Sequence, residues 1–418
     1  MFKSKFLFKK LFKLFTVVFF LSISMHSKAQ QENKDEFKFG GAVRYNIQST
    51  NFESDPTALS TSATWDTWRL NIDGSMKGLD LSFEYRFYPT FGTHFIHHGW
   101  FGYAFNDKIY MKLGVSQVPF GILKFASHSF FFQGPYYVGL EDDYDMGIRF
   151  DIKPLDKLDL AIAYYRQAEP EGPINGGSAT FGNAGPGRYS YDISPTENTP
   201  VRELNHINTR LAYHINENIE FGISSQIGQN YNSYLNSSQL STAFAVHALI
   251  NIGKLSVKSE YINYNYRAKD TSNNKVNLVP VGAYGLIYNI SSKANIYSLS
   301  LAYDIDVNLG PITKIQPYID LSLIEKLHYD FENTYHVIPG FLIQAGPIYA
   351  FVDFAMGKNH PWLTDDFGVG MDQGRTYSTQ TDSHFDYYTS EIKKDNTPVS
   401  IKKLDWNYRF NINLGYYF

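Results

Sequence analysis

The chain has 418 residues, no cysteine, 17% aromatic residues and a formal net charge of −4. The lack of cysteine excludes a disulfide framework, a thiolate metal site and a cysteine nucleophile. A mean hydropathy of −0.30 excludes a bundle of membrane-spanning helices, and an apolar fraction of 43% is too high for a wholly disordered chain. Richness in Tyr, Phe and Gly is typical of a β-rich protein.

Residues 1–29 are predicted to be a secretory signal peptide. A lysine-rich start precedes a short apolar run at 14–23, and residues 27–29 place small side chains where a signal peptidase cleaves. The alternative is a membrane anchor, but the run is too short for a bilayer core of about 30 Å. Cleavage would remove six lysines and no acid, which takes the net charge to −10. General nucleic-acid binding is therefore excluded, because it needs a basic surface.

Residues 30–36 are predicted to be a disordered lead, and residues 37–418 a single β domain. Apolar and polar side chains alternate along this domain, as in a strand with one apolar and one polar face. This alternation predicts sixteen strands. They span residues 37–49, 64–75, 78–89, 96–105, 107–117, 144–153, 157–167, 204–216, 218–228, 240–252, 254–267, 295–306, 312–326, 334–345, 347–357 and 404–418.

The strands favour a transmembrane barrel over a soluble β-sandwich. They are about ten residues long, the length that a tilted membrane-spanning strand needs, and aromatic residues crowd their ends. The final Phe418 resembles the terminal assembly signal of bacterial outer-membrane barrels. A single-chain bacterial barrel has an even number of strands, so an apolar patch at 278–290 is assigned to one long outer loop, 268–294. Sixteen antiparallel strands leave a water-filled lumen.

The third long connection, residues 118–143, is unusually aromatic for a loop in water. Because apolar surface is costly in water, this segment is expected to pack against something. Folding into the lumen is the favoured solution, and contact with another subunit is the alternative.

Two stretches resemble the phosphate-selective porin O and P family. One is KLGVSQVPFGILKF followed by DYDMGIRFDI, within 112–152, and the other is AGPIYAFVDFAMGKNHPWL at 345–363. The resemblance runs along the mature chain and implies an all-β, 16-stranded antiparallel transmembrane β-barrel with a lumen-folded third loop. It also implies a homotrimeric porin in the outer membrane of a Gram-negative bacterium.

The candidate pore constriction combines charged residues of the third loop with wall arginines. An anion filter needs Arg or Lys at close quarters, whereas the loop is mainly acidic. If the loop acids face the wall arginines, a transverse field would form. The candidate residues are Lys124, His128, Glu141, Asp142, Asp143, Asp145, Arg44, Arg69, Arg86 and Arg149.

No catalytic residue, cofactor or firm metal site is predicted. The histidines His94, His97 and His98 lack a clear tetrahedral spacing. The acidic run 141–145 could bind a divalent cation through oxygen ligands, or it could be a solvated loop end.

The sequence thus predicts a passive porin rather than an enzyme. It would admit small hydrophilic solutes or ions, with anions such as phosphate left open, and would contact outer-membrane lipid. One alternative is a non-conducting barrel for binding or adhesion. Another is a barrel-embedded hydrolase, which the inward parity of His206, His247 and His336 disfavours because a lipid substrate could not reach them.

Overall fold

The structure is a computed structural model that describes residues 35–52, 61–174, 185–328, 331–364, 371 and 406–418. The predicted signal peptide and most of the predicted disordered lead lie outside these residues. The first strand begins at Glu36, at the end of that lead. Across the described ranges, no helix is long and apolar enough to cross a membrane.

Twenty strands are present in the described part of the chain. The strands of the large sheet are β1 (Glu36–Thr50), β2 (Thr61–Met76), β3 (Leu79–Tyr88), β4 (Thr93–Asn106), β5 (Ile109–Gln117), β6 (Tyr144–Leu155), β7 (Leu158–Ala168), β9 (Val201–Asn216), β10 (Ile219–Asn232), β11 (Ser237–Ile252), β12 (Leu255–Tyr266), β15 (Lys293–Tyr303), β16 (Ile305–Leu309), β17 (Ile312–Lys326), β18 (Thr334–Ala345), β19 (Ile348–Lys358) and β20 (Asn407–Tyr417). A small second sheet contains β8 (Asp192–Ile193), β13 (Leu278–Ala283) and β14 (Leu286–Ser291). Short 3-10 helices span Pro89–Phe91 and Gly134–Val138.

The large sheet closes on itself. Strand β1 pairs antiparallel with β2 on one side and with β20, the last strand, on the other. Strands β15 and β16 are consecutive parts of one wall strand, because both pair with β17 and only Asp304 separates them. When β15 and β16 are counted as one, the described residues form sixteen wall strands, which confirms the predicted 16-stranded antiparallel barrel.

Alternation along the strands separates the two faces of the wall. In β3 the side chains of Ser82, Glu84 and Arg86 are buried inside the barrel, whereas Leu79 is exposed. On β20, Asn411 and Asn413 are buried, and the large apolar side chains between and around them point outward. An outward apolar surface on a polar-lined barrel is the pattern of a transmembrane barrel.

One end of the barrel is made of tight turns. Seven connections there have two residues each: 77–78, 107–108, 156–157, 217–218, 253–254, 310–311 and 346–347. Gly310 and Gly346 each precede a proline and adopt φ values of 60° and 58°. These values lie in the left-handed region of the backbone, which residues other than glycine adopt at a cost in free energy. These turns fall at or beside the short gaps between the predicted strands. The longer connections therefore share the opposite, outer end of the barrel.

The third loop, residues 118–143, folds into the lumen, as predicted. The Gly121 amide donates to Ser224 Oγ of β10 at 3.1 Å, and the Ile122 amide to Glu260 Oε1 of β12 at 3.0 Å. Further along, the Gly134 amide donates to Ser322 Oγ of β17 at 2.9 Å. Because these bonds reach far wall strands, the loop crosses the barrel interior.

The outer loop 268–294 contains strands, contrary to its assignment as a plain loop. The patch 278–290 forms the hairpin β13–β14, and β13 also pairs with β8 from the outer loop between β7 and β9. The hairpin folds into the lumen and is not part of the wall, so the predicted even number of wall strands is kept. All twelve residues of the two hairpin strands are buried. Their apolar side chains therefore pack in an internal core and do not face lipid.

An internal apolar core fills one side of the lumen. It combines the third loop, the hairpin and small side chains of the wall, and includes Val138, Tyr191, Ala245, Val279 and Tyr288. Open space is left on the other side, against β1, β2, β3, β19 and β20. The remaining cavity is therefore eccentric in the barrel.

Candidate pore constriction

The lumenal cavity has a volume of about 630 Å³, and its wall is basic. Four arginines line it from four adjacent strands: Arg44 on β1, Arg69 on β2, Arg86 on β3 and Arg409 on β20. They converge because β20 pairs with β1, which pairs with β2, and β2 with β3. The structure thus brings three of the four predicted arginines together and adds Arg409.

Each of these arginines lies over an aromatic ring. Arg44 and Arg409 stand 5.2 Å from the ring centres of Phe130 and Phe131 in the third loop. Arg69 lies 5.2 Å from the Tyr417 ring, and Arg86 lies 4.6 Å from the ring of Tyr189. A guanidinium within about 6 Å of a ring centre is attracted by the ring's quadrupole. The rings therefore help to hold the guanidinium groups in place.

Two wall acids neutralise part of this positive charge. Arg44 pairs with Asp66 of β2 at 2.5 Å between Nη2 and Oδ2. Glu84 pairs with Arg86 at 2.5 Å and with Arg69 at 3.4 Å. Among the described residues that line the cavity there are thus four arginines and one acid, Asp66. Guanidinium groups on the wall of a narrow cavity attract anions in general.

Aromatic side chains form the opposite side of the cavity. They come from the third loop and from the other outer loops, and are Phe91, Phe125, Phe130, Phe131, Phe132, Tyr136, Tyr137, Tyr189, Tyr284 and Trp362. Tyr136 Oη and Tyr284 Oη are hydrogen-bonded at 2.6 Å, and the indole of Trp362 donates to Tyr191 Oη at 2.8 Å. These two bonds join four separate outer segments in pairs at the aromatic surface.

His128 and Lys124, the basic candidates of the third loop, have different positions. His128 lines the cavity and is hydrogen-bonded through Nδ1 to Ser300 Oγ at 2.5 Å and through Nε2 to Ser256 Oγ at 3.2 Å. Burial, and then the positive charge of Lys258, lower the pKa of His128 to about 3, so it is neutral near pH 7. Lys124 is exposed and is not among the cavity-lining residues.

The four acidic candidates, Glu141, Asp142, Asp143 and Asp145, are all buried behind the loop. They do not line the cavity. The loop acids therefore do not face the wall arginines across it, as the expected transverse field requires. The two carboxylate oxygens of Glu141 accept the amides of Ala126 and Gln133 at 2.9 and 3.0 Å, which ties the two arms of the loop together.

Burial also raises the pKa of the loop acids Glu141 and Asp142. Burial, and then the charge of Glu260, raise the pKa of Glu141 to about 8. Burial raises the pKa of Asp142 to about 6, against a hydrogen bond from Tyr189 Oη at 2.6 Å that lowers it. Their role in this geometry is to hold the loop.

Arg149 lies apart from the other arginines. It donates to Asp151 Oδ1 through Nε at 2.8 Å and to the Gln117 carbonyl at 2.9 Å on the β5–β6 side of the barrel. Arg409, by contrast, belongs to the arginine row but was missed as a candidate. The signal for it was available, because a closed barrel must pair its last strand with its first.

The positions of His94, His97 and His98 do not support a metal site formed by these three histidines. His94 Nδ1 is bonded to Tyr85 Oη at 2.6 Å, away from His97, whose Nδ1 lies 2.9 Å from His98 Nδ1. Glu84, His97 and His98 could geometrically hold an ion, but Glu84 already pairs with two arginines. His206, His247 and His336 are buried inside the barrel, as their parity predicted.

A scan against protein-family models and a search of curated proteins find no match for this chain. Solved structures do match over most of its length. The outer membrane channel DcaP of Acinetobacter baumannii aligns with a TM-score of 0.55 and 10% identity, covering 94% of this chain and 100% of that one. An anion-selective porin from Comamonas acidovorans aligns with a TM-score of 0.53 and 10% identity, covering 92% and 100%.

The trimer form of OmpT, an outer membrane protein of Vibrio cholerae folded in vitro, aligns with a TM-score of 0.54 and 13% identity. It covers 92% of this chain and 100% of that one. At such identities the likeness establishes a shared fold, the 16-stranded barrel of bacterial outer-membrane porins. That fold places the chain in a Gram-negative outer membrane, as the sequence predicted.

Proposed function

We propose that this protein is a water-filled outer-membrane channel for small hydrophilic solutes, with a preference for anions. The observation that carries the proposal is the row of four arginines on the cavity wall, where Asp66 is the one acid among the described lining residues. Fixed guanidinium groups attract anions and repel cations in a narrow pore. The burial of the loop acids removes the sequence-based argument against an anion preference.

The solute class follows from the chemistry of the two sides of the cavity. Arginines can bind a carboxylate, phosphate or chloride, and the aromatic rings opposite can contact an apolar portion of the same solute. Inorganic phosphate, which the resemblance to the porin O and P family implies, is one member of this class. A small organic anion is another, and it would contact both sides.

The same proposal includes a homotrimer in contact with outer-membrane lipid. Support comes from the sequence resemblance and from the trimer form of the V. cholerae OmpT structure. Mass determination of the detergent-solubilised protein by light scattering should give three chains, and a monomeric mass would contradict this part of the proposal.

Conductance in planar lipid bilayers tests the channel itself. Purified, folded protein should give stepwise ohmic currents, and a KCl gradient should give a reversal potential of the sign that chloride permeation produces. Heat-modifiable migration on a gel provides the control for folding. Folded protein without channels would refute the channel and favour a non-conducting binding or adhesion barrel, whereas a potassium-selective reversal potential would refute only the anion preference.

A further inference from the structure

A second cluster of charged side chains lies behind the third loop, outside the cavity. Asp143, Asp145 and Asp192 each place a carboxylate oxygen within 4.8 Å of the others, and all three are buried. Glu169 and Glu203 interact with Asp192 and are also buried. Four separate stretches of the chain therefore supply carboxylates to this cluster: residues 143–145 at the start of β6, the end of β7, β8 and β9.

Although Asp143, Glu169 and Glu203 each lie within hydrogen-bonding distance of Asp192, several oxygens of the cluster accept no hydrogen bond from an N–H or O–H donor among the described residues. They are Asp143 Oδ1, Asp145 Oδ1 and Glu169 Oε2, and the three residues are only 7%, 2% and 2% exposed. The other oxygen of Glu169 accepts the amides of Tyr189 and Ser190 at 3.1 and 2.7 Å, so these bonds fix the carboxylate while Oε2 accepts no such bond. Buried polar atoms are nearly always paired, and three carboxylate oxygens without a donor in one cluster point to a ligand.

The positive charge around the cluster does not balance it. Arg188 Nε lies 3.2 Å from Asp192 Oδ2, and His206 Nε2 lies 3.7 Å from Glu203 Oε2. Among the described residues, Arg188 is the one arginine or lysine that forms an ion pair with these five acids. Buried carboxylates are stable only when they are paired, protonated or bound to a cation.

We propose that Asp143, Asp145 and Asp192, assisted by Glu169 and Glu203, bind one Ca²⁺ ion. The donor set contains only carboxylate oxygens, which suits a hard cation and not zinc or copper. Calcium fits better than magnesium because it accepts six to eight oxygen ligands in an irregular arrangement, whereas magnesium requires a near-ideal octahedron. The acidic run 141–145 thus divides between two roles, with Glu141 holding the loop and Asp143 and Asp145 binding the ion.

Calcium at this position would fasten the plug to the wall. The bound ion joins the third loop to β8 and to three wall strands, and the adjoining Ser190 Oγ accepts the Tyr144 amide at 2.9 Å. Tyr189, the residue before Ser190, donates a hydrogen bond to Asp142, and its ring lies against the guanidinium of Arg86. Loss of the ion would therefore loosen the Tyr189 ring at the edge of the cavity. Ion binding itself does not depend on the proposed channel function.

The test measures calcium in the folded, full-length barrel. Protein folded in detergent is stripped with EGTA, dialysed against CaCl₂ at millimolar concentration, passed through a desalting column and analysed by mass spectrometry for metal. We expect one bound Ca²⁺ per chain, and a calcium-dependent rise in the thermal unfolding temperature that MgCl₂ does not reproduce. The Asp143→Asn/Asp192→Asn double variant should lose the bound calcium.

A matched double variant, Asp159→Asn/Asp306→Asn, controls for loosely bound ions, because both of its acids are about half or more exposed. It should retain the calcium. If the wild-type barrel holds no calcium and EGTA leaves its unfolding temperature unchanged, the proposal is overturned and the cluster is held by shared protons. Equal calcium in the wild type and in the Asp143/Asp192 variant would also overturn it. If that variant fails to fold, the wild-type measurement decides alone.

Discussion

Neutralising Arg69 should weaken the anion preference without disturbing the fold. Arg69→Gln removes one of four cavity charges, and its partner Glu84 keeps the closer ion pair with Arg86 at 2.5 Å. The formal charge of the cavity lining then falls by one unit. Arg69 is preferable to Arg44 for this purpose, since loss of Arg44 would leave Asp66 without its 2.5 Å partner.

The size of the effect follows from the cavity volume. A sphere of about 630 Å³ has a radius of about 5 Å, and at that distance in water one unit charge contributes about 0.8 kcal/mol. Screening at 0.15 M salt reduces this to about 0.4 kcal/mol per charge. One charge therefore separates chloride from potassium by about 0.9 kcal/mol, so its removal should lower the chloride-to-potassium permeability ratio about fourfold.

The assay is the reversal potential of single channels under a KCl gradient near 0.15 M. The exposed Arg202, on β9, provides the matched control, and Arg202→Gln should keep the wild-type ratio. A wild-type ratio that is unchanged in Arg69→Gln would refute the reasoning, because the arginine row would then not set the field. An equal drop in both variants would show that overall charge, rather than the cavity, controls selectivity.

Three further outcomes follow from the same structure. Asp66→Asn should raise the anion-to-cation permeability ratio about fourfold by the same Coulomb reasoning, as measured by reversal potential; a fall would contradict it. Because burial raises the pKa of Glu141 from 4.5 to about 8, the folded loop keeps a proton that the opened loop loses, so loop stability falls as pH rises from 4.5 to 8. Hydrogen-exchange protection of the Ala126 and Gln133 amides, corrected for intrinsic rates, should therefore be lower at pH 8 than at pH 6, and equal protection would count against this. Gly346→Ala, at φ 58°, should cost about 1–2 kcal/mol in urea unfolding, with Pro347→Ala as the control in the same turn; equal stability of the two variants would show that the turn tolerates a side chain.

The barrel was predictable because its signal is local. Alternation in 79–88 and 407–417 assigns each side chain to lipid or lumen without any knowledge of neighbouring strands. The short turns and the even strand number then fixed the count and the direction of the loops. The aromatic third loop was also predictable, since its rings had to leave water.

The internal packing was not predictable by the same reasoning. Alternation assigns the patch 278–290 to a strand but cannot tell a wall strand from a hairpin buried inside the lumen. The acids near residue 143 looked like a solvated loop end, because their burial depends on β8 and β9, which are distant in the sequence. Such contacts are set by long-range packing, which a single sequence does not display.

By itself, the sequence determined that this chain is a sixteen-stranded transmembrane barrel with a lumen-folded third loop, since lipid on one side and water on the other impose a two-residue period on every strand. Only the tertiary structure decided which charges face the cavity. Closure of the barrel placed Arg409 beside Arg44, and the inward folding of three outer segments buried the loop acids away from the cavity. The selectivity of a pore depends on such juxtapositions, because Coulomb forces act over distances in space and not along the chain.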